Sequence, residues 1–296
     1  MASMKKKSAP PAQIGKCSVS LLLRMQTMVQ GMSKAEQRVV RYILEHPNDV
    51  ISLSVAGLAE KIGVSDATIV RTCKSLDMSS YQDFKVTLAR DTAAPLKIAN
   101  TKIESDDTDK TVIDKVFQKS IHTLEYTHSA LNYEALTLAA KKISEARKVI
   151  IIGLGNSNAI AMDLEHKMMR IGIWAHAYVD THLQVLASVD CDERDVVIAL
   201  SHSGSTIDIV NCAKACQVNG SYVIALTNIG RSPLSKTADL TLMTASRETE
   251  QNIFSLASRI AQMTLIDCLY TLIANRSPDM PERLYSIGKA LNTFKY

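Results

Sequence analysis

The chain is poor in aromatic surface, with four Phe and one Trp in 296 residues. Proteins that hold single-stranded nucleic acid stack its bases on aromatic platforms, so that class is disfavoured. Long hydrophobic runs are missing too. The longest, such as Val149–Ile152, fall far short of the roughly 20 residues needed to cross a bilayer. Lys5-Lys6-Lys7 is followed by no apolar core with a cleavage site, because Arg24 interrupts the run near Leu21–Leu23. A cytoplasmic chain with no membrane partner is expected. Clustered cysteine is lacking as well: Cys17, Cys73, Cys191, Cys212, Cys216 and Cys268 are dispersed over a chain too large to need staples. Cys212 and Cys216 are four apart on a predicted helix, but the nearest histidine is His202 and no fourth ligand is evident. Buried thiols are the better reading, and no metal or cofactor is expected.

What is present is a globular composition with an uneven charge. Apolar residues make up 46% and charged residues 22%, enough for a real core. Residues 1–91 carry 13 Lys and Arg against 8 Asp and Glu, whereas the remainder carries 21 against 22. The net charge of +4 therefore comes from the first third. A basic module on a neutral one suggests a polyanionic partner.

Pattern divides the chain into a flexible N-terminus (1–19), a helical domain (20–91), a polar and acidic linker (92–111) and an α/β domain (112–296). The fold class expected is α/β: an all-α helix-turn-helix domain followed by a doubly wound parallel sheet. Ser33-Lys34-Ala35-Glu36 reads as a capping box opening a helix whose stripe is Val39, Val40, Ile43 and Leu44. In the second part, strands at 149–152, 175–178, 196–200, 222–226 and 240–243 alternate with helical patterns, and a long helix over 253–274 closes the domain.

Residues 54–76 have the spacing of a helix-turn-helix: a first helix with Leu58, Ala59 and Ile62 on one face, a turn at Gly63, and a second helix capped by Ser65. Small Ala59 permits close packing of the two. Ile69, Val70, Cys73 and Leu76 are expected inward, with Asp66, Thr68, Arg71, Thr72 and Lys74 outward where base edges would be met. Arg71 is the first candidate for base or phosphate contact, with Lys74 and Lys85 for backbone phosphates. The competing reading is a helical hairpin with an ordinary solvated face.

Two turns carry the remaining chemistry. Ser201-His202-Ser203-Gly204-Ser205-Thr206 joins an apolar strand to a helix, and Gly153-Leu154-Gly155-Asn156-Ser157 does the same earlier. Hydroxyls, backbone N–H groups and a helix dipole converge on such a turn, which suits a phosphate. Parallel strands put both turns on one sheet edge. Gly153-Leu154-Gly155 is only part of a dinucleotide fingerprint, since Asn158 stands where the third glycine belongs. Neither turn contains Lys or Arg, so neutral donors are expected to hold the anion. The alternative is that these hydroxyls merely cap helices.

A strand ending Gly-x-Gly-x-Ser and another ending Ser-x-Ser-Gly-x-Thr resemble the sugar isomerase (SIS) domain. Joined to the helix-turn-helix, the chain from about residue 20 resembles the MurR/RpiR family of bacterial transcription regulators. Further similar stretches are Glu165-His166-Lys167, Asp180-Thr181-His182 and Ser258-Arg259-Ile260-Ala261-Gln262. The resemblance implies that Ser157, Ser201, Ser203 and Thr206 ligate a phosphate, helped by backbone N–H groups of Ser203 to Ser205. It places Asn156 and His182 near the sugar, and Glu248 or Glu250 as an acidic sugar contact. It departs at Leu76-Asp77-Met78, where the family has Leu-Gly: Asp tolerates a left-handed C-terminal cap less well than Gly.

The function this implies is a repressor of a sugar or amino-sugar catabolic operon. Its partners would be double-stranded operator DNA, a sugar-phosphate effector and further copies of the chain, as a homodimer or dimer of dimers. The rival is a phosphosugar isomerase or lyase-type enzyme using Glu248, Glu250 or His182 as base. It leaves the basic helical third without a purpose. A phosphosugar sensor acting through protein contacts is a third reading.

Overall fold

The computed structural model describes residues 20–93, 103–246 and 256–293. The expected flexible segment 1–19, much of the expected linker and the Glu248/Glu250 segment lie outside the described residues.

The first domain is a bundle of short helices: α1 (Leu21–Met28), α2 (Lys34–Glu45), α3 (Pro47–Ser52), α4 (Val55–Ile62), α5 (Asp66–Ser75) and α6 (Tyr81–Ala93), with a 3₁₀ turn after α1. The capping box of α2 forms as its sequence dictates, Ser33 and Glu36 each accepting the other's backbone N–H. Leu21, Met25, Val39, Val40, Ile43, Leu58, Ile69, Phe84 and Leu88 build one core. Ala59 is buried on α4, which packs against α5. Two arginines close helix ends: Arg38 donates to Ile62 O (2.6 Å) at the end of α4, and buried Arg24 donates to Leu76 O (2.6 Å) at the end of α5. Orphan carbonyls at a C-terminus need such donors. Helix α3, opened by Pro47 at its first turn, has no counterpart in the expected pattern.

The second domain begins with α7 (Asp109–Ser129) and α8 (Tyr133–Glu145). Strands and helices then alternate: β1 (Val149–Gly153), α9 (Ser157–Arg170), β2 (Ala175–Tyr178), α10 (Thr181–Val189), β3 (Val196–Leu200), α11 (Ile207–Val218), β4 (Tyr222–Asn228), α12 (Pro233–Thr237) and β5 (Leu240–Thr244). The long α13 (Leu256–Arg276) and α14 (Met280–Asn292) complete it. The sheet is entirely parallel in the order β2-β1-β3-β4-β5. Strands β1 and β3 are buried along their whole length, because helices cover both faces. On one face Ile151, Ile198 and Leu200 meet Leu136, Leu164 and Leu265; on the other Ile150, Val197 and Ala199 meet Ile209, Cys212 and Cys216. That two-sided burial is why these strands read as continuous apolar runs.

Beneath the sheet, on the edge away from the strand ends, Asp195 is buried and paired with Arg147 (Nε 2.9 Å, Nη2 2.7 Å). This bidentate pair joins the start of β1 to the start of β3.

Candidate effector site and DNA-reading face

Strand β1 lies between β2 and β3, so the sheet's winding reverses between β1 and β3. Ligands of open parallel sheets bind outside the carboxyl ends of strands at such a reversal. The last register pair is Gly153 with Leu200, and the turns 154–157 and 201–206 therefore leave the edge side by side.

The second turn is stitched to its neighbours by main-chain bonds. Ser201 N donates to Leu226 O (3.2 Å), Asn228 N and Thr227 Oγ1 donate to His202 O (2.9 and 3.1 Å), and Leu234 N donates to Gly204 O (2.9 Å). Gly204 has φ +61°, and a Cβ there would lie 2.2 Å from Ser232 Oγ and 2.8 Å from Thr227 Oγ1. Only glycine fits this position. The backbone is fixed while the side chains of Ser203 and Ser205 are left exposed. Ser201, buried at the strand end, places its Oγ 3.1 Å from Thr206 Oγ1, and Ser203 Oγ accepts from Ser205 N (3.2 Å).

The capping alternative can be judged helix by helix. Ser33, Ser54, Ser65, Thr108, Asn132 and Asp180 each accept a backbone N–H at the start of α2, α4, α5, α7, α8 and α10. Asn156 at the start of α9 and Thr206 at the start of α11 make no such bond. First-turn N–H groups without a side-chain cap must be satisfied by a nearby carbonyl, water or a ligand. At α9, Ser157 N and Asn158 N donate to Leu154 O and Gly155 O (3.1 Å each), so of the two the start of α11 is the one that offers first-turn N–H donors and a favourable dipole to an anion. Ser157 is buried in the first turn of α9, and His182 is exposed in the first turn of α10. Glu248 and Glu250 lie outside the described residues.

One residue of this edge escaped the sequence reading. Gln184 is 1% exposed, and its Nε2 donates to Gly153 O (3.2 Å) and Tyr178 O (2.8 Å), clamping the ends of β1 and β2. Its Oε1 is buried with no hydrogen-bond partner. The available signal was a glutamine inside the apolar run Leu183-Gln184-Val185-Leu186. Cys212 and Cys216 are buried on α11; Cys212 Sγ donates to Gln184 O (3.3 Å), and its thiol together with burial holds the Cys216 thiol far above the usual range. Among the described residues no cluster of three or more His, Cys, Asp or Glu could hold a metal ion.

In the helical domain the structure corrects the expected reading face of α5. Thr68 and Thr72, expected outward, are 6% and 1% exposed, and Val70, expected inward, is 41% exposed. Thr72 Oγ1 donates to Thr68 O (2.8 Å), which satisfies the hydroxyl and lets it share the inner face with Ile69 and Cys73. Lys85, expected on DNA, donates to Leu53 O (3.2 Å) between α3 and α6. Ser65 caps α5 (Thr68 N to Ser65 Oγ, 3.3 Å). Arg71 and Lys74 remain exposed. Beside them, burial pushes the Glu36 carboxyl up, but hydrogen bonds from Ser33 and Ser75 and the charge of Arg71 outweigh it and hold Glu36 below its ordinary value.

Helix α5 ends in a left-handed cap despite lacking glycine. Met78 N donates to Cys73 O (2.9 Å) and Asp77 N to Lys74 O (3.0 Å), with Asp77 at φ +58°. Asp77 therefore adopts the conformation that glycine would adopt there. Its Oδ1 accepts from Arg231 Nη2 of the sheet domain at 3.0 Å.

That contact borders a cleft of about 460 Å³ between the domains. Arg71, Lys74 and Ser75 line one side, and His202, Ser203 and Ser205 the other. Of the residues expected around the anion only Ser203 and Ser205 line this cleft, and Asn156, Ser157, His182, Ser201 and Thr206 do not; neither turn has a cation in sequence, but α5 and Arg231 bring three to the cleft.

Family comparison agrees with this architecture. Residues 19–95 match the model of the rpiR-family helix-turn-helix domain, and residues 142–272 match that of the SIS domain. An HTH-type transcriptional regulator of Caldanaerobacter subterraneus is 35% identical over 86% of this chain and 91% of its own length. HexR of Escherichia coli, also an HTH-type transcriptional regulator, is 30% identical over 94% and 96%. The structure of Vibrio vulnificus NanR complexed with ManNAc-6P superposes with a TM-score of 0.60 at 26% identity, covering 93% of this chain and 98% of that one. With both domain models matched and relatives of at least 30% identity along most of its length, the chain belongs to the rpiR family of HTH-type transcriptional regulators that carry a SIS domain.

Proposed function

We propose that this regulator represses a sugar or amino-sugar catabolic operon, and that its grip on double-stranded operator DNA is set by a sugar phosphate at the β1/β3 edge. The observation that carries this reading is the pair of helix starts, Asn156 and Thr206, left without side-chain caps at the reversal of the sheet. A phosphate there would accept from Ser157, Ser201, Ser203, Thr206 and the N–H groups of 203–205, with Asn156 and His182 near the sugar. Hydrogen bonds to a charged acceptor contribute roughly 1.5–3 kcal/mol each, so a few suffice for micromolar affinity. The relative bound to ManNAc-6P supports a ligand of this class. Arg71 and Lys74 would contact DNA, with Ser65 near the backbone.

Self-association through the sheet domain fits the surface. Leu183, Val185, Leu186 and Val189 are exposed on α10, and Ile113, Phe117 and Ile121 form an exposed stripe on α7. Apolar patches of this kind mark interfaces. A dimer would present two reading helices to the half-sites of a palindromic operator.

The test is a DNA-binding titration on the duplex flanking the chain's own coding region, with and without a panel of sugar phosphates. Binding that weakens with salt is expected, with the log–log slope shallower by about 0.9 for each of Arg71→Gln and Lys74→Gln. Ser203→Ala should weaken the effector by about 10–100-fold and leave DNA affinity near normal. No DNA binding at low salt overturns the reading, and a wild-type effector response in Ser203→Ala overturns the phosphate assignment. Turnover of a sugar phosphate by the purified protein would favour the isomerase or lyase reading.

A further inference from the structure

Arg71 and Lys74 belong to the DNA-reading helix, yet they line a cleft with Ser203 and Ser205 of the sheet domain. At about 460 Å³ the cleft is the size of a small-molecule site and far too small for a duplex. While it is closed, DNA phosphates have no access to those two cations from that side. The contact that borders it is unusual. Asp77 is a non-glycine residue with positive φ at the end of α5. A left-handed residue with a Cβ is disfavoured, and a carboxylate at a helix C-terminus opposes the dipole. Nothing within α5 requires Asp there, because glycine makes the same cap without either penalty. The carboxylate is used across the domains, by Arg231 (3.0 Å). The neighbouring Gly230 supplies a second contact: a Cβ on it would lie 3.3 Å from the Met28 side chain of α1.

Resting on the regulator reading above, we propose that this cleft is a shared-cation switch: Arg71 and Lys74 face either operator phosphates or a phosphorylated sugar held on Ser203 and Ser205, and the Asp77–Arg231 pair latches the second arrangement. The effector's phosphate adds an anion opposite two cations and so favours the closed arrangement. DNA competes for the same cations. The two ligands are therefore negatively linked, each weakening the other by the same factor, and the effector releases DNA.

The experiment measures the affinity of the full-length protein for a labelled duplex from its own upstream region by fluorescence anisotropy. Arg231→Gln is the informative variant, because Arg231 lies in the sheet domain and the change leaves the helix-turn-helix intact. Thermal unfolding confirms that it folds. Without effector it should bind DNA about two- to fivefold more tightly than wild type, the range expected for an exposed ion pair. Asp77→Asn also removes a negative charge from the reading helix, so it is compared in a cycle: its gain in DNA affinity should be smaller in the Arg231→Gln background than in wild type. Sugar phosphates should weaken DNA binding by wild type. Equal DNA affinity in wild type and Arg231→Gln, additive effects of the two substitutions, or a sugar phosphate that tightens DNA binding overturns the switch and leaves the regulator reading standing. Failure of both wild type and Arg231→Gln to bind DNA overturns the regulator reading itself.

Discussion

The helix starts of the helical domain and those at the reversal of the sheet use the same residue types for different ends. In the helical domain Ser33, Ser54 and Ser65 each spend their hydroxyl on a backbone N–H of their own helix. At the reversal of the sheet, Thr206 turns its hydroxyl toward Ser201, and neither it nor Asn156 accepts a capping bond. A hydroxyl at a helix start is thus a structural element in one region and an available donor in the other. A strand behind the helix is not enough to make the difference, since Asp180 after β2 and Ser232 after β4 both cap their helices; at 201–206 main-chain bonds to Leu226, Asn228 and Leu234 fix the turn, which frees its side chains.

That contrast can be broken or sharpened by substitution. The largest effect is expected from Gly204→Ala, which combines positive φ with a Cβ 2.2 Å from Ser232 Oγ. It should cost at least about 2 kcal/mol of stability and abolish sugar-phosphate binding, read by urea unfolding and calorimetric titration. Gly155→Ala, also at positive φ but with open space around its Cβ, should cost only about 1 kcal/mol by the same unfolding measurement. Ser54→Ala removes a cap from α4 (Gly57 N to Ser54 Oγ, 3.1 Å) and should cost about 1 kcal/mol with no change in effector affinity. Asn156→Ala should stay within about 0.5 kcal/mol of wild type in stability, yet weaken the effector. If Asn156→Ala destabilises as much as Ser54→Ala, the two regions do not differ as described.

A smaller effect follows from Glu36. Its folded pKa lies below the ordinary value of 4.5, so its stabilisation is fully present above pH 4.5 and is lost as pH falls through the lowered folded value. Unfolding midpoints measured below pH 4.5 should therefore fall less steeply in Glu36→Gln than in wild type.

Much of the fold was legible along the chain. The apolar runs of β1 and β3, the capping box of α2 and the turn at Gly63 are local patterns, each specified within a few residues. The inward placement of Thr68 and Thr72 was partly legible, since both fall on the helical period of Ile69 and Cys73. What hid it was their polarity, which hydrogen bonds neutralise: Thr72 Oγ1 donates to Thr68 O, and Thr68 Oγ1 pairs with Ser65 Oγ. Lys85 was misread for a related reason: a long cationic side chain reads as solvated until a carbonyl such as Leu53 O is placed beside it. At the candidate site, the hydroxyls of the 201–206 turn were visible as a motif, whereas Gln184 was visible only as an odd residue in an apolar stretch.

By itself the sequence determined the two domains, the strand ends and the hydroxyl-rich turns, because periodicity, caps and main-chain hydrogen bonds act between residues close in the chain. Tertiary structure alone decided which hydroxyls were left over and which charges they face. Arg71, Lys74 and Arg231 are absent from the turns in sequence and present around Ser203 and Ser205 in space. The contact that brings them there spans 154 residues, from Asp77 to Arg231, and no local preference encodes it.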